Sequence, residues 1–237
     1  MKCIQKKQPP TFYTEQVEKL QKELESLTDK KDKADIWSKL FKKSELTEYI
    51  LDNEQNWLCG YCEVEIKDLS HTHLEHIEAR SRNYDKNTFD YNNIIVSCNG
   101  NCHTTNNIQT CGHGKDKEYK KRKNESGQRF KIDYNRFINP VKAGNIRDFF
   151  IYGDDGIMSS SQKNPHKAKH TITALNLGVN NPTLSEERKK AKETFINKAK
   201  SFATKTKQPL KDAVIHLLNK ENLAFISFLR FKYKDIL

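Results

Sequence analysis

Residues 59–115 read CGYCEVEIKDLSHTHLEHIEARSRNYDKNTFDYNNIIVSCNGNCHTTNNIQTCGHGK. This stretch contains the residues around which we expect the rest of the chain to fold. Five of the six cysteines and five of the eight histidines lie in this stretch. The sixth cysteine, Cys3, is near the start of the sequence. Clustered cysteines and histidines are typical of a metal site. We therefore expect a fold organised around bound metal.

The pair Cys59-x-x-Cys62 has the spacing of a zinc knuckle. We expect Gly60 to allow the tight backbone turn that directs both sulfurs at one ion. A second pair must come from downstream, where the candidates are Cys98, Cys102 and Cys111. Four cysteine ligands leave no open coordination position, so this zinc would be structural. The alternative is a set of unrelated buried or free cysteines, but five in one window favour the metal site.

The composition indicates an anionic partner. The 237 residues include 42 Lys and Arg against 31 Asp and Glu, which gives a net charge of +11. This charge favours nucleic acid, with an acidic membrane surface as the second candidate. No apolar run approaches the roughly 18 residues of a spanning helix, and the first ten residues lack a signal-peptide core. We therefore expect a cytoplasmic protein that does not enter a membrane and whose cysteines are thiolate ligands rather than disulfides.

Apolar periodicity divides the chain into three regions. Residues 1–57 are predicted to be helical, with one helix over 14–27 and another that begins at the N-cap Ser44 and ends near Trp57. Residues 58–125 are predicted to form the core that contains the metal site. Residues 126–237 are predicted to contain a hairpin and helices that dock on a partner. We expect the N-terminal helices to pack against the core.

The C-terminal region contains one hairpin pattern and three helical patterns. Residues 147–158 predict a β-hairpin that turns at Asp155-Gly156. A helix over 184–204 is predicted to open with a capping box formed by Thr183 and Glu186. Further helices are predicted over 210–219 and 223–233.

Two other features have less specific interpretations. The basic segment 115–131, KDKEYKKRKNESGQRFK, is either a solvated helix face or a strip that contacts phosphate, and both interpretations carry equal weight. The histidines outside the central stretch are predicted to be surface or interface residues: His166, His170 and His216. Taken alone, His71, His73 and His76 are either further zinc ligands or exposed histidines, and His71 and His73 could also contact substrate phosphate.

The segment HTHLEHIEAR, with YNNIIVSC downstream, carries a family resemblance. It resembles an HNH endonuclease of the ββα-metal type, in the form that contains zinc. The family pattern has an acidic residue or His before the general-base His, then an Asn five residues before a zinc Cys. A His or Asn follows the last Cys, with a Lys close behind. The positions that match are Glu75, His76, Asn93, Cys98, Cys111, His113 and Lys115.

The resemblance implies an α+β fold: a small ββα-metal core with a four-cysteine zinc knuckle, wrapped by N- and C-terminal helices and one β-hairpin. It implies that His76 is the general base, that Asn93 bridges the loop and orients His76, and that Glu75 and His113 hold a catalytic Mg²⁺ or Mn²⁺. The implied structural zinc ligands are Cys59, Cys62, Cys98 and Cys111. Cys102 and His103 are the alternative to Cys111 and His113, because the common spacing puts the last ligand directly after a cysteine pair.

A looser resemblance extends over most of the chain. Its motifs are the M-[KR]-x-I-x-K start, CGYCE with Glu63, SCNG…CGHGKD, the F-x-Y-x-x-x-G pattern of residues 150–156 and TITALNLG at 171–178. Together they are similar to the HNH nuclease subunit of Septu-type and retron-associated anti-phage systems. This implies an ABC-like ATPase partner and a nucleic-acid substrate, with DNA favoured over RNA. The alternatives are a non-catalytic zinc module that binds nucleic acid and a structural adaptor.

Overall fold

A computed structural model describes residues 1–100, 109–115 and 130–237. Helices combine with two small antiparallel sheets, which confirms the mixed helix and sheet architecture. The strands are β1 (Thr72–His76), β2 (Ile94–Cys98), β3 (Phe150–Tyr152) and β4 (Met158–Ser160). The helices are α1 (Thr11–Ser26), α2 (Lys30–Asp35), α3 (Lys43–Ile50), α4 (Tyr84–Asn87), α5 (Cys111–His113), α6 (Pro165–Leu175), α7 (Pro182–Thr206), α8 (Leu210–Leu218) and α9 (Ile226–Lys232). Most of the predicted basic segment lies outside the described residues.

Helices α1 and α3 occur where apolar periodicity predicts helices, but their first residues differ, and α2 was not predicted. Helix α1 begins three residues before the predicted start, directly after Pro10, whose carbonyl accepts hydrogen bonds from the N–H groups of Tyr13 and Thr14. The predicted N-cap Ser44 is wrong. The observed N-cap is Lys42, two residues earlier. It adopts a left-handed conformation, and its carbonyl accepts the first helical hydrogen bond, from the Leu46 N–H.

Strands β1 and β2 form the centre of the molecule. They pair antiparallel, with Glu75 opposite Ile95 and His76 opposite Ile94. Every residue of β2 is buried, as its continuous run IIVSC suggests for a strand covered on both faces. The knuckle packs against this strand, where the Gly60 N–H donates to the Val96 carbonyl. Gly60 was predicted to allow a tight backbone turn, but its φ is not positive. Glycine is required there for space, because a Cβ atom would lie 2.9 Å from Cδ1 of Ile95.

The C-terminal region contains the predicted hairpin and one helix that was not predicted. Strands β3 and β4 pair antiparallel around a turn in which Gly156 has a φ of 80°, a conformation that favours glycine. Helix α6 begins at Pro165 after the N-cap Asn164. The Thr183 capping box is wrong, because Asn181 caps α7 by accepting from the Leu184 N–H while Pro182 takes the first helical position.

The three predicted regions share one hydrophobic core. Its buried side chains come from every region of the chain, for example Ile50, Val96 and Phe228. Glu63, directly after the knuckle, links the core to α9: its carboxylate accepts from the Ser227 N–H at 2.9 Å and from the Ser227 hydroxyl at 2.6 Å. The N-terminal helices therefore pack on the core, as predicted. None of the helices in the described ranges is long and apolar enough to cross a membrane.

His170 on α6 is buried, so its predicted surface position is wrong. Its Nε2 atom accepts a hydrogen bond of 2.9 Å from the Asp133 N–H. A protonated imidazole has no acceptor, so this bond requires the neutral ring. Burial lowers the pKa of His170, and nearby Arg136 lowers it further.

We expect the free energy of unfolding to fall in acid through His170. Unfolded histidine has a pKa near 6.5, so below that pH the unfolded chain binds more protons than the folded chain. The His170 contribution is complete above about pH 6.5. It is lost as the pH falls towards the lowered folded-state pKa, by at most about 1.4 kcal/mol per pH unit. Urea unfolding at about pH 7.5 and 5.5 should show a larger loss in wild type than in His170→Gln, which keeps an acceptor oxygen. Equal losses would contradict the assignment.

Candidate metal centre and active-site cleft

Four cysteine sulfurs converge in the core, from the residues Cys59, Cys62, Cys98 and Cys111. All four side chains are buried, and their sulfurs lie within 4.8 Å of one another. The Cys59–Cys111 and Cys62–Cys98 sulfur distances are both 3.8 Å. A tetrahedral zinc ion with Zn–S bonds of about 2.3 Å separates its sulfurs by about 3.8 Å, whereas a disulfide would need about 2.05 Å. These four cysteines could therefore hold a metal ion such as zinc.

The fold positions the ligands from three elements. The knuckle supplies Cys59 and Cys62, the end of β2 supplies Cys98, and Cys111 begins α5 with a left-handed φ of 56°. Burial alone would raise the pKa of Cys59, but contacts from the other three thiols and the Cys98 N–H hold that pKa well below its usual value. The lowered pKa favours the thiolate form of Cys59, which is the form that binds metal. The alternative pair Cys102 and His103 lies outside the described residues.

His76, the predicted general base, ends β1 and has a defined tautomer. Its Nε2 atom lies 2.9 Å from the Thr88 carbonyl oxygen. A carbonyl only accepts, so Nε2 carries the proton and Nδ1 keeps the lone pair. The ring packs edge-on against Trp37, with centroids 4.5 Å apart. Burial lowers the pKa of His76 to about 4, although the Thr88 hydrogen bond opposes this, so the ring is neutral at pH 7.

Asn93 bridges the loop between β1 and β2, as predicted. Its amide oxygen accepts from the Glu78 N–H at 2.8 Å, and its amide nitrogen donates to the Glu78 and Asn87 carbonyls at 2.9 and 3.1 Å. The hydrogen bond that orients His76 comes from Thr88, the residue after Asn87. Asn93 therefore acts on His76 indirectly, by fixing the loop segment that contains Thr88.

We expect Asn93→Ala to lower the free energy of unfolding by about 3 kcal/mol, because three backbone groups in or beside the core lose their partner. Asn92→Ala is the matched control, since the Asn92 side chain is exposed next to it. Urea unfolding of both variants measures the difference. Similar losses in the two variants would contradict the bridging role.

Glu75 lies at the base of the site and is 3% exposed. Its Oε1 atom accepts from Lys115 Nζ at 2.5 Å and from the Tyr61 hydroxyl at 3.3 Å. Burial would raise the pKa of Glu75, but Lys115 and His73 together lower it to about 2. Lys115 is itself buried and also donates to the His76 and Ile77 carbonyls. It therefore fixes the end of β1 and holds Glu75 as a carboxylate.

His113 and His73 lie together beside Glu75. Their rings stack in parallel, with centroids 4.3 Å apart and an interplanar angle of 2°. His113 Nδ1 lies 3.0 Å from the Asn99 carbonyl oxygen, and His73 Nε2 lies 3.4 Å from Glu75 Oε2. The structure thus brings the predicted ligands Glu75 and His113 to one place. It adds His73, which the family pattern does not include among the ligands of the catalytic metal.

A cleft of about 940 Å³ passes over these residues. Its lining includes the four central side chains His73, Glu75, His76 and His113. Arg80, Arg82 and Lys131 contribute cationic side chains to the lining, against the carboxylate of Glu75. A cleft in which positive charge outweighs negative charge attracts a polyanion such as a nucleic-acid backbone.

Three residues of the site had no functional prediction from the sequence. Trp37 packs on His76, a contact between residues 39 positions apart that local sequence does not indicate. Thr88 acts through its backbone carbonyl, a group that every residue type has, so the sequence could not indicate this role. Tyr61 lies inside the knuckle, and its hydroxyl reaches Glu75. Comparison of the chain with protein-family models and with curated proteins gives no match.

Proposed function

We propose that the protein is a metal-dependent HNH endonuclease that hydrolyses phosphodiester bonds, with DNA favoured over RNA. The observation that carries the proposal is the His76 tautomer. Its Nε2–H is fixed on the Thr88 carbonyl, which leaves Nδ1 as a proton acceptor in a side chain that lines a cationic cleft. A neutral histidine held in this way is suited to take a proton from water.

The chain's own residues account for most of the proposed chemistry. Arg80, Arg82 and Lys131 would attract and position the phosphate backbone. His76 Nδ1 would accept the proton of the attacking water, and the Thr88 carbonyl would stabilise the imidazolium that forms. Glu75 and His113 provide the oxygen and nitrogen donors that suit Mg²⁺ or Mn²⁺. Such an ion, when bound, would supply positive charge where negative charge develops in the transition state.

A specific observation favours the second candidate, a zinc module that binds nucleic acid without cleaving it. Oxygen Oε1 of Glu75 is already paired with Lys115 and Tyr61. A purely structural role for Glu75 would therefore also explain its burial. Both candidates use the cationic cleft to bind nucleic acid. They differ in whether His76 acts as a general base and whether Glu75 holds a catalytic metal.

We also propose that the nuclease acts in the cytoplasm as the effector of an anti-phage system, with an ABC-like ATPase as partner. This rests on the likeness of the knuckle, SCNG…CGHGKD and TITALNLG segments to such nuclease subunits. The apolar side chains that stay exposed outside the cleft, such as Phe41 and Val179, are compatible with a docked partner.

The test is cleavage by the purified chain. Supercoiled plasmid DNA and bulk RNA would be incubated with the zinc-loaded protein and Mg²⁺ or Mn²⁺, alone and with a candidate ATPase. Cleavage that requires the added metal supports the nuclease and identifies its substrate. A requirement for the ATPase supports the defence system. Binding of either nucleic acid without cleavage under any of these conditions would instead establish the binding module.

A further inference from the structure

His73 Nε2 and Glu75 Oε2 form an unusual buried pair. They lie 3.4 Å apart, and within the described part of the chain Nε2 makes no hydrogen bond although it is shielded from water. Two buried acceptor atoms at this separation repel each other unless a proton or a cation lies between them. Either a proton on Nε2 or a cation bound to both atoms would satisfy the pair.

Gly112 allows His73 and Glu75 to lie against the start of α5. A Cβ atom on residue 112 would lie 2.6 Å from Glu75 Oε2 and closer still to His73 Nε2. Both separations are too short for a carbon atom, so any side chain at position 112 would displace the two donor atoms. The present positions of Nε2 and Oε2 therefore require glycine there.

Asn99 orients both histidines. Its backbone carbonyl accepts from His113 Nδ1 at 3.0 Å, and its side-chain oxygen lies 3.4 Å from His73 Nδ1. Asn99 is itself anchored, since its N–H donates to the His71 carbonyl and its amide nitrogen to the Ser70 carbonyl. Protons held at Nδ1 leave the lone pairs at Nε2. Histidines that bind metal typically donate their other ring N–H to a fixed acceptor in this way.

We infer that His73, Glu75 and His113 bind one divalent cation, with His73 as a direct ligand and Asn99 as the residue that positions both imidazoles. Two imidazoles and one carboxylate favour a transition-metal ion such as Mn²⁺ over Mg²⁺, which prefers oxygen ligands. This inference deepens the proposed nuclease function by naming the ligand set and the class of metal. The competing explanation is an imidazolium of His73 that pairs with Glu75 and binds no metal.

The test is Mn²⁺ binding to the zinc-loaded full chain without nucleic acid, followed by the electron paramagnetic resonance signal of free Mn²⁺. Thiolates bind Mn²⁺ poorly, so the four-cysteine site stays occupied by zinc. We expect one Mn²⁺ per chain. His73→Ala and Gly112→Ala should weaken the affinity at least about tenfold. Asn99→Ala keeps the backbone carbonyl that holds His113 and removes only the side-chain contact with His73, so it should weaken the affinity about tenfold. His71→Ala, an exposed histidine two residues away, should leave the affinity unchanged.

A second variant at position 73 distinguishes loss of a metal ligand from a folding defect. His73→Asp supplies an oxygen ligand, so it should lower the preference for Mn²⁺ over Mg²⁺ at least about tenfold while zinc content stays at one per chain. Absence of Mn²⁺ binding in wild type, or equal affinity in wild type and His73→Ala, overturns the inference. The pair would then be explained by a protonated His73 that binds Glu75 without metal. These binding results do not depend on cleavage. Metal binding without any nuclease activity would disprove the proposed function and leave the ligand assignment intact. Cleavage by the wild type, with unchanged Mn²⁺ affinity in His73→Ala, would disprove the ligand assignment and leave the proposed function intact.

Discussion

The His76→Ala protein is expected to cleave nucleic acid about 10²–10⁴-fold more slowly than wild type while it still binds zinc and nucleic acid. This range is the usual contribution of a positioned general base. His76 is the neutral imidazole whose Nε2–H is fixed on Thr88, so its removal deletes the acceptor at Nδ1. The four cysteines that could hold zinc lie elsewhere, on the knuckle, β2 and α5, so we expect an unchanged zinc content.

Two further variants separate chemistry from packing. His76→Gln keeps an N–H donor for the Thr88 carbonyl but has no basic nitrogen, so it should be as inactive as His76→Ala and more stable. His166→Ala, an exposed histidine on α6, is the matched control and should retain full activity. Rates would be measured on plasmid DNA under single-turnover conditions, with zinc content and the unfolding midpoint checked for each variant. Wild-type cleavage by a folded His76→Gln protein would disprove the base assignment.

Features encoded by local patterns were predicted well from the sequence. The run IIVSC, which forms β2, has the local signature of a buried strand because each of its residues is apolar or small, but no strand was predicted there. The spacing of Cys59 and Cys62 identifies a knuckle, and the cluster contains the four cysteines that the family pattern selects. The Asp155-Gly156 turn was also predictable, since Gly156 provides the positive φ that the hairpin needs.

Features that depend on distant contacts were not predictable. The Glu75–Lys115 ion pair joins residues 40 positions apart, and nothing in either neighbourhood indicates that the lysine is buried. His73 stands two residues before Glu75 on a strand, so the pleat places both on one face. That alternation was available in the sequence, but the approach of Gly112 to both side chains was not. Helix α6 had local signals in Asn164 and Pro165, and they were missed.

The Cys59→Ser protein is expected to lose both zinc and the folded state. The four sulfurs join the knuckle, β2 and α5, which are otherwise separated by long polar stretches of chain. A structural zinc site contributes about 10–16 kcal/mol of apparent binding free energy, whereas a whole domain is stable by about 5–15 kcal/mol. Loss of one thiolate ligand should therefore leave too little free energy to keep the core folded.

The matched control is Cys3→Ser, which changes a partly exposed cysteine outside the cluster. It should keep one zinc per chain and the wild-type unfolding transition. Zinc content would be measured by mass spectrometry of the metal, and folding by circular dichroism during urea titration. Treatment of the wild type with a zinc chelator should reproduce the Cys59→Ser result, because it removes the same ion without changing a side chain. If the wild type contained no zinc and Cys59→Ser kept the wild-type midpoint, the cluster would be four packed thiols. The core would then owe its stability to its apolar residues alone.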